Sequence, residues 1–361
     1  MDIDLFSESM QRDQDQVFDL MRTRAPVYWS EQVRAWILTR HADYALVLHD
    51  PRFTRNQHKH EEYQAPPPGS SPRPIQRLLD DSIVQVEPPR HNRLRKLVSK
   101  ALTPRAIEAQ RPAIQAIIDD CLAEIPRHEP VDLVSGLMAR VPIRVVARML
   151  EVTGGAGEAL FDRLRRALIP LTFPRPRPED LDAADEAVLS LEAFLDRVID
   201  ERGKQLGDDI LSRLIVAEDA GDVLTKGELI ALAVAIVTAG VENVSILMTH
   251  GVVALMQHPE VRETLREEPE LWPNAVWELL RYASAGGYVR RFALQDVTLR
   301  GQQIRRGQML LGAVHGVHRD PEVYVQPHRF DIRRPPGENL MFGKGMHYCI
   351  GASLARNELE L

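Results

Sequence analysis

The chain has 361 residues, 44% of them apolar and 27% charged, with a formal net charge of −7. That is enough apolar chain for one large globular domain or two ordinary ones, and the negative balance argues against general affinity for nucleic acid. Its two cysteines, Cys121 and Cys349, exclude a disulfide framework and point to a reducing compartment, the cytoplasm.

The start, "MDIDLFSESMQRDQDQ", is acidic and polar, without the charged head and apolar run of a signal peptide. "APVYWS" and "RAWILTR" read as a β-hairpin. Proline-rich stretches at 64–74 and 173–180 are too polar to pack and read as loops. "AIEAQRPAIQAIIDDCLAEI" and "DAADEAVLSLEAFLDRVIDERGKQL" repeat apolar residues at three and four, the helical period. Thr225 with Glu228 three residues on forms a capping box, opening a helical pattern that reaches about Gln257. This helix is apolar nearly all round and should run through the core. Its apolar run, Leu229–Val241, stops at Glu242 and Asn243, too short to span a bilayer, so no membrane is expected. "DVTLRGQQIRRGQMLLGA" reads as a second hairpin. The whole is a single, mainly α domain with a small β portion.

The chemistry concentrates near the end, in "MFGKGMHYCIG" (341–351). A thiolate is a soft, strongly donating ligand that needs hydrogen-bond donors or positive charge to stay ionised. Glycines let backbone N–H groups come close to the sulfur, and the residues after Cys349 read as a helix start, which favours negative charge. A lone cysteine in a glycine-rich turn is more often a buried structural residue. Here the surrounding glycines, aromatic and histidine point instead to ligation.

Phe342-Gly343-x-Gly345-x-His347-x-Cys349-x-Gly351 resembles the haem-binding signature of cytochrome P450 at every defining position. Glu278 and Arg281 in "WELLRY" match that family's E-x-x-R pair, and Arg329 in "QPHRFD" the arginine that completes its network. "VEPPRHNRLRKLVSKALTP" resembles the haem-contacting helix, with His91 and Arg95 placed for propionates. Arg291 falls where the family meets the other propionate, and "TAGVEN" where the oxygen-binding groove is expected. Alone, an E-x-x-R pair is as readily a surface helix pair worth a few tenths of a kcal/mol. Six such features in order, from about residue 15 to the last, are not explained that way.

The resemblance implies the P450 fold, haem b (iron protoporphyrin IX) held by Cys349, and a monooxygenase using O2. Phe342, Gly343, His347 and Gly351 complete the cofactor loop. Electrons would come from a separate ferredoxin or flavodoxin with its reductase, because the chain has no nucleotide-binding glycine motif of its own. Arg93, Lys96 and Lys344 are candidates for a basic docking face. Matching the family's layout, the substrate pocket draws on Val234, Thr238, Ala239, Gly286 and Val289, and on the loop 56–83. The flexible "ASAGGYV" suggests a bulky natural-product scaffold, with a fatty acid second. A non-catalytic haem-thiolate sensor is the reading from another class. A metal site at His58, His60, Glu61, Glu62 and His91 lacks helical ligand spacing.

Two departures stand out. The family's acid–threonine pair, which organises water and delivers protons during oxygen activation, is Glu242–Asn243 here, so these two are the candidate catalytic residues. An amide carries donor and acceptor but no readily ionised proton. Hydroxylation with a water held by Asn243, and oxidative coupling or ring closure needing less controlled proton delivery, both remain open. Family members also continue for tens of residues past the cysteine helix, so part of the pocket wall is expected to be missing here.

Overall fold

The computed structural model describes residues 3–65, 71–152, 154–172, 177–284 and 287–361. These residues are mainly helical, as expected, and fall into two compact units. The first holds residues 3–65 and 250–349 with Glu360; the second holds the described part of 66–249, then 350–359 and Leu361.

Nine strands are described: β1 (Val27–Ser30), β2 (Ala35–Leu38), β3 (Phe53–Thr54), β4 (Glu218–Asp219), β5 (Asp222–Val223), β6 (Tyr288–Ala293), β7 (Val297–Leu299), β8 (Gln302–Ile304) and β9 (Met309–Ala313). In the first unit five of them make one sheet in the order β1-β2-β9-β6-β3. β1 and β2 are the antiparallel hairpin that "APVYWS" and "RAWILTR" predict, with Val27 opposite Leu38. β2 runs parallel to β9, and β6 antiparallel to both β9 and β3. Of the second predicted hairpin, only β7 and β8 pair with each other, around Arg300 and Gly301, both at positive φ. Two such residues make the tight turn whose twist matches paired strands. β9, the last piece of that sequence, joins the large sheet instead.

The helix His41–His49 lies against this sheet. Its Tyr44 ring rests on Gly312 of β9, so tightly that a Cβ at 312 would fall inside the ring. Tyr44, Leu48, Val314, Val317 and Leu340 form one buried cluster, and Phe18, Met21, Ile37 and Ala313 belong to another.

The second unit is built of helices. Thr225 and Glu228 form the predicted capping box, with the Glu228 amide donating to Thr225 Oγ1 (3.2 Å) and the Thr225 amide to Glu228 Oε2 (3.0 Å). It opens the long helix Lys226–Gln257, which ends where the sequence pattern ends. Val234, Val237 and Val241 of that helix share one buried cluster with Ile143, Val146, Phe161, Val188 and Leu191. By length and composition this helix could cross a membrane, but 56% of its most apolar 18-residue window is buried inside the protein, the packing of a core helix. The "AIEAQRPAIQ" pattern is not one helix but two, Pro104–Glu108 and Arg111–Ala123, with Pro112 at the start of the second. Proline fits a first helical turn, where its missing N–H has no partner to lose. The loops at 64–74 and 173–180 lie partly outside the described residues; Pro74 and Pro178 each start a helix.

Gly312→Ala should destabilise the protein by about 1–3 kcal/mol, the usual cost of overpacking. A urea midpoint unchanged from wild type would show that the Tyr44 ring can yield.

Candidate active site

In the first unit, the loop before Cys349 is closed by its own backbone. The Cys349 amide donates to Phe342 O (2.9 Å), the Gly343 amide to Leu340 O (2.9 Å) and the Tyr348 amide to Gly345 O (3.1 Å). Gly343 and Gly345 both sit at positive φ, and a Cβ on Gly345 would press on His49 and the Leu48 carbonyl. These two glycines are therefore required by backbone shape. Gly351 is different: its φ is −87°, and it is the residue before the helix Ala352–Glu360. Phe342 is buried and meets Trp277 edge-on at 6.2 Å and Tyr348 at 6.5 Å. His347 ends a short 3-10 turn and is half-buried. The outcome is a thiol held at the rim: Cys349 is exposed, whereas Cys121 is buried.

Glu278 and Arg281 share one face of the helix Trp272–Tyr282, joined by two hydrogen bonds of 2.8 Å at about 2% exposure. Arg281 also donates to the carbonyls of His318, Pro327 and Arg329, and Glu278 accepts from the Asp331 amide. Arg329 enters only through its carbonyl; the residue is exposed. The charge assigned to Arg329 is supplied by Arg334, whose Nε lies 3.1 Å from Glu278 Oε2. The sequence reading is corrected on this point. The two arginines are five positions apart, and Arg334 is the one brought back over the buried carboxylate.

Arg291 lies on β6, which alternates its side chains across the sheet, so Arg291 shares a face with Val289 while Arg290 points to the other. Arg291 is 4% exposed, and its guanidinium donates to the Arg290 carbonyl (2.8 Å). Burial pushes its pKa down to about 9, helped by the nearby charge of Arg55. Arg55 is the residue the sequence reading missed; nothing in "RFTRNQ" marks it, and only strand register brings it near Arg291. The histidines of "HKHEEY" are occupied with rings: His58 stacks on Tyr63 at 4.4 Å and His60 leans on Phe292 at 5.2 Å.

In the second unit, His91 and Arg95 stand one turn apart on the helix Arg90–Ala101. His91 is 2% exposed, and burial lowers its pKa, with Arg95 adding to the effect. On the long helix, Ala239 and Asn243 are exposed and Ala235 and Glu242 half-buried, so one face is lined by small residues and ends in an amide and an acid. Thr238 is half-buried and turns its hydroxyl back onto Ala235 O (3.1 Å). Val234, expected at the pocket, is instead fully buried in the packed face about 100° round the helix from Ala235. The helical period explains it, since 235, 239 and 243 share a face that 234 does not. Asn243 Nδ2 donates to Ala239 O one turn back (3.1 Å). Glu242 Oε2 accepts from Arg165 Nη1 (3.0 Å), and Arg165 also holds Asp162. Gly286 lies outside the described residues.

The three proposed docking cations are each ion-paired: Arg93 with Asp222 and Glu228, Lys96 with Asp219, and Lys344 with Glu338. Neutralised in this way, they give little of the uncompensated field that steers an acidic partner.

The family model for cytochrome P450 matches residues 166–361. The chain is 35% identical over 339 residues to mycinamicin IV hydroxylase/epoxidase of Micromonospora griseorubida, covering 93% of this chain and 81% of that protein. Nocardicin C N-oxygenase of Nocardia uniformis is 34% identical over 330 residues, with 90% and 79% covered. Among solved structures, P450BioI, in complex with an acyl carrier protein ligated to hexadec-9Z-enoic acid, matches with a TM-score of 0.88 at 27% identity, covering 98% of this chain and 89% of that one.

The chain belongs to the cytochrome P450 family. It is a monooxygenase, and membership implies a haem-thiolate cofactor. The residues present fit that group on the evidence of their own chemistry. The P450 exposes one thiol on a glycine-shaped loop, and it buries Arg291 with a carbonyl as its bonded partner and another arginine as its charged neighbour. A buried cation so placed matches an anionic group such as a haem propionate.

Arg334→Ala should cost about 1.5–3 kcal/mol, as loss of hydrogen bonds to a buried charge does. Arg329→Ala should stay within about 0.5 kcal/mol, as exposed substitutions do. Thermal unfolding of both variants decides between them; a larger loss for Arg329→Ala would restore the original assignment.

Proposed function

We propose that the protein oxidises a bulky, natural-product-type small molecule with O2, taking electrons one at a time from a separate ferredoxin or flavodoxin. The observation that carries this reading is the exposed thiol of Cys349 in its glycine-shaped loop, in a chain of the P450 family. The substrate class is supported by relatives whose names refer to mycinamicin and nocardicin, and the small side chains of Ala235 and Ala239 on one helix face are compatible with it.

In this reading Cys349 would be the thiolate that holds the haem iron, and Arg291, with His91 and Arg95 as the family resemblance implies, would bind carboxylates of the haem. When bound, haem supplies an iron centre that activates dioxygen, with the thiolate favouring O–O cleavage. The remaining work belongs to side chains. Asn243 uses one N–H on Ala239 O, which leaves its second N–H and Oδ1 to hold a water. It has no proton to give up. Glu242 is its neighbour on the helix and accepts from Arg165 Nη1 (3.0 Å), so proton delivery through Glu242 would require that pair to open. Asn243 thus positions water, and Glu242 passes the proton.

A second reading follows from the same amide: the substrate's own polar group supplies the proton path, and the chemistry is coupling or ring closure.

The reduced protein with carbon monoxide should show the red-shifted Soret band of a thiolate-ligated haem, and Cys349→His should abolish it. A band that survives the substitution sinks the ligand assignment.

Asn243→Ala should divert electrons to hydrogen peroxide and lower product per electron several-fold, whereas Asn243→Thr should preserve it. Coupling indifferent to Asn243→Ala, but lost with a substrate analogue stripped of its polar group, would establish the second reading.

A further inference from the structure

We infer that Arg55 and Arg291 form a two-arginine clamp for a carboxylate of the haem, a role for Arg55 that no motif in the chain marks. The inference rests on the haem-thiolate reading above.

The geometry comes from strand register. β3 pairs antiparallel with β6, with Phe53 opposite Ala293 and Thr54 opposite Phe292. Carried one residue further, the register sets Arg55 opposite Arg291. Residues directly opposite in an antiparallel pair place their side chains on one face, with Cβ atoms about 4.5–5.5 Å apart, and like charges there repel. The same face carries Val289, which stands opposite Gly312 of β9, the residue on which the Tyr44 ring rests. Tyr44 and Arg55 are the ionisable groups that act on Arg291, while Tyr44, Arg290 and Cys349 act on Arg55. None of these is a carboxylate. The protein packed around Arg55 lowers its pKa, and the charge of Arg290 adds to that.

Elsewhere the chain pairs its enclosed arginines with acids: Arg281 with Glu278, Arg165 with Glu242 and Asp162, Arg93 with Asp222 and Glu228. Two arginines on one sheet face, Arg291 buried and Arg55 half-buried, match an anion between them. Guanidinium matches carboxylate in a planar, bidentate way. Arg55 lies within electrostatic reach of Cys349, the thiol assigned to the iron. That places the awaited carboxylate with the haem rather than with a distant part of the substrate. Arg290, exposed on the other face of β6, is not part of the clamp.

The test uses the holoproteins of wild type, Arg55→Ala, Arg55→Lys and Arg290→Ala. Each is mixed with excess apomyoglobin, and haem transfer is followed by absorbance; the ferric/ferrous midpoint potential is measured alongside. Arg55→Ala should release haem roughly ten- to a hundredfold faster, the range for a lost charge-assisted hydrogen bond. Its potential should fall, because a cation favouring the more negative ferrous state has gone. Arg55→Lys should keep a potential near wild type yet lose haem faster, since an ammonium cannot bind bidentately. Arg290→Ala should release haem at the wild-type rate, with a potential shift smaller than that of Arg55→Ala. Wild-type haem release and potential in Arg55→Ala overturn the clamp. So does an equal acceleration in Arg290→Ala, which would mean general loosening of the sheet edge. If Arg55→Ala weakens only spectral binding of carboxylate-bearing ligands, the site serves substrate and the inference is wrong. A wild-type protein without the thiolate band would instead overturn the underlying haem reading, and is recognised before any variant is compared.

Discussion

A carboxylate taken out of water at Glu278 is the constraint around which the first unit is arranged. Both partners of the Glu278–Arg281 pair are about 2% exposed, and burying charges is tolerated only when every remaining donor and acceptor is used. The chain meets that demand with three carbonyls for Arg281, an amide from Asp331 for Glu278 and the guanidinium of Arg334. Those partners come from 318–334, a stretch with little regular structure of its own. The pair therefore supplies the order that hydrogen-bonded strands or helices would otherwise supply. The same helix then reaches the cysteine loop twice, as Asn339 donates to the Trp277 carbonyl (3.1 Å) and the Trp277 ring meets Phe342. One helix thus fixes both the buried charge and the platform under the thiol.

The second unit solves a different problem with a single long helix. A helix packed on several sides has few places for a polar group, and Thr238, Asn243 and Thr249 each turn a side chain back onto a carbonyl three or four residues earlier. Such back-bonding satisfies the side chain without a tertiary partner. At Asn243 it also fixes the orientation of the amide, which is what a residue needs in order to hold a water at a defined place. In the proposed function this fixed amide would hold a water while having no readily ionised proton of its own.

What could be read from the sequence was local. The capping box at Thr225 and the β1–β2 hairpin are each specified within a few residues, and each is found as read. The misreadings concern choices between near neighbours that only tertiary structure decides. Arg329 and Arg334 are equally plausible partners for Glu278 until the chain is seen to fold back. Val234 sits one residue from Ala235, and one residue turns a helical side chain by about 100°. The acids that pair with Arg93 and Lys96 also lie far away in sequence, as Asp222 does from Arg93.

Arg55 belongs to the same class, and shows why strand register is a stronger guide to function than charge alone. A free arginine on a surface strand is ordinary and carries no information, because water screens it at little cost. Its meaning changes once a second arginine stands opposite it on an enclosed face, since each then raises the cost of the other's charge and neither has an acid to offset it. The local sequence "RFTRNQ" does not encode that opposition. Two distant pairings do, Phe53 with Ala293 and Thr54 with Phe292, which bring a loop near residue 55 to a strand more than 230 positions later. An anionic cofactor gives this arrangement a physical reason to persist: the repulsion that costs stability in its absence becomes the attraction that retains it.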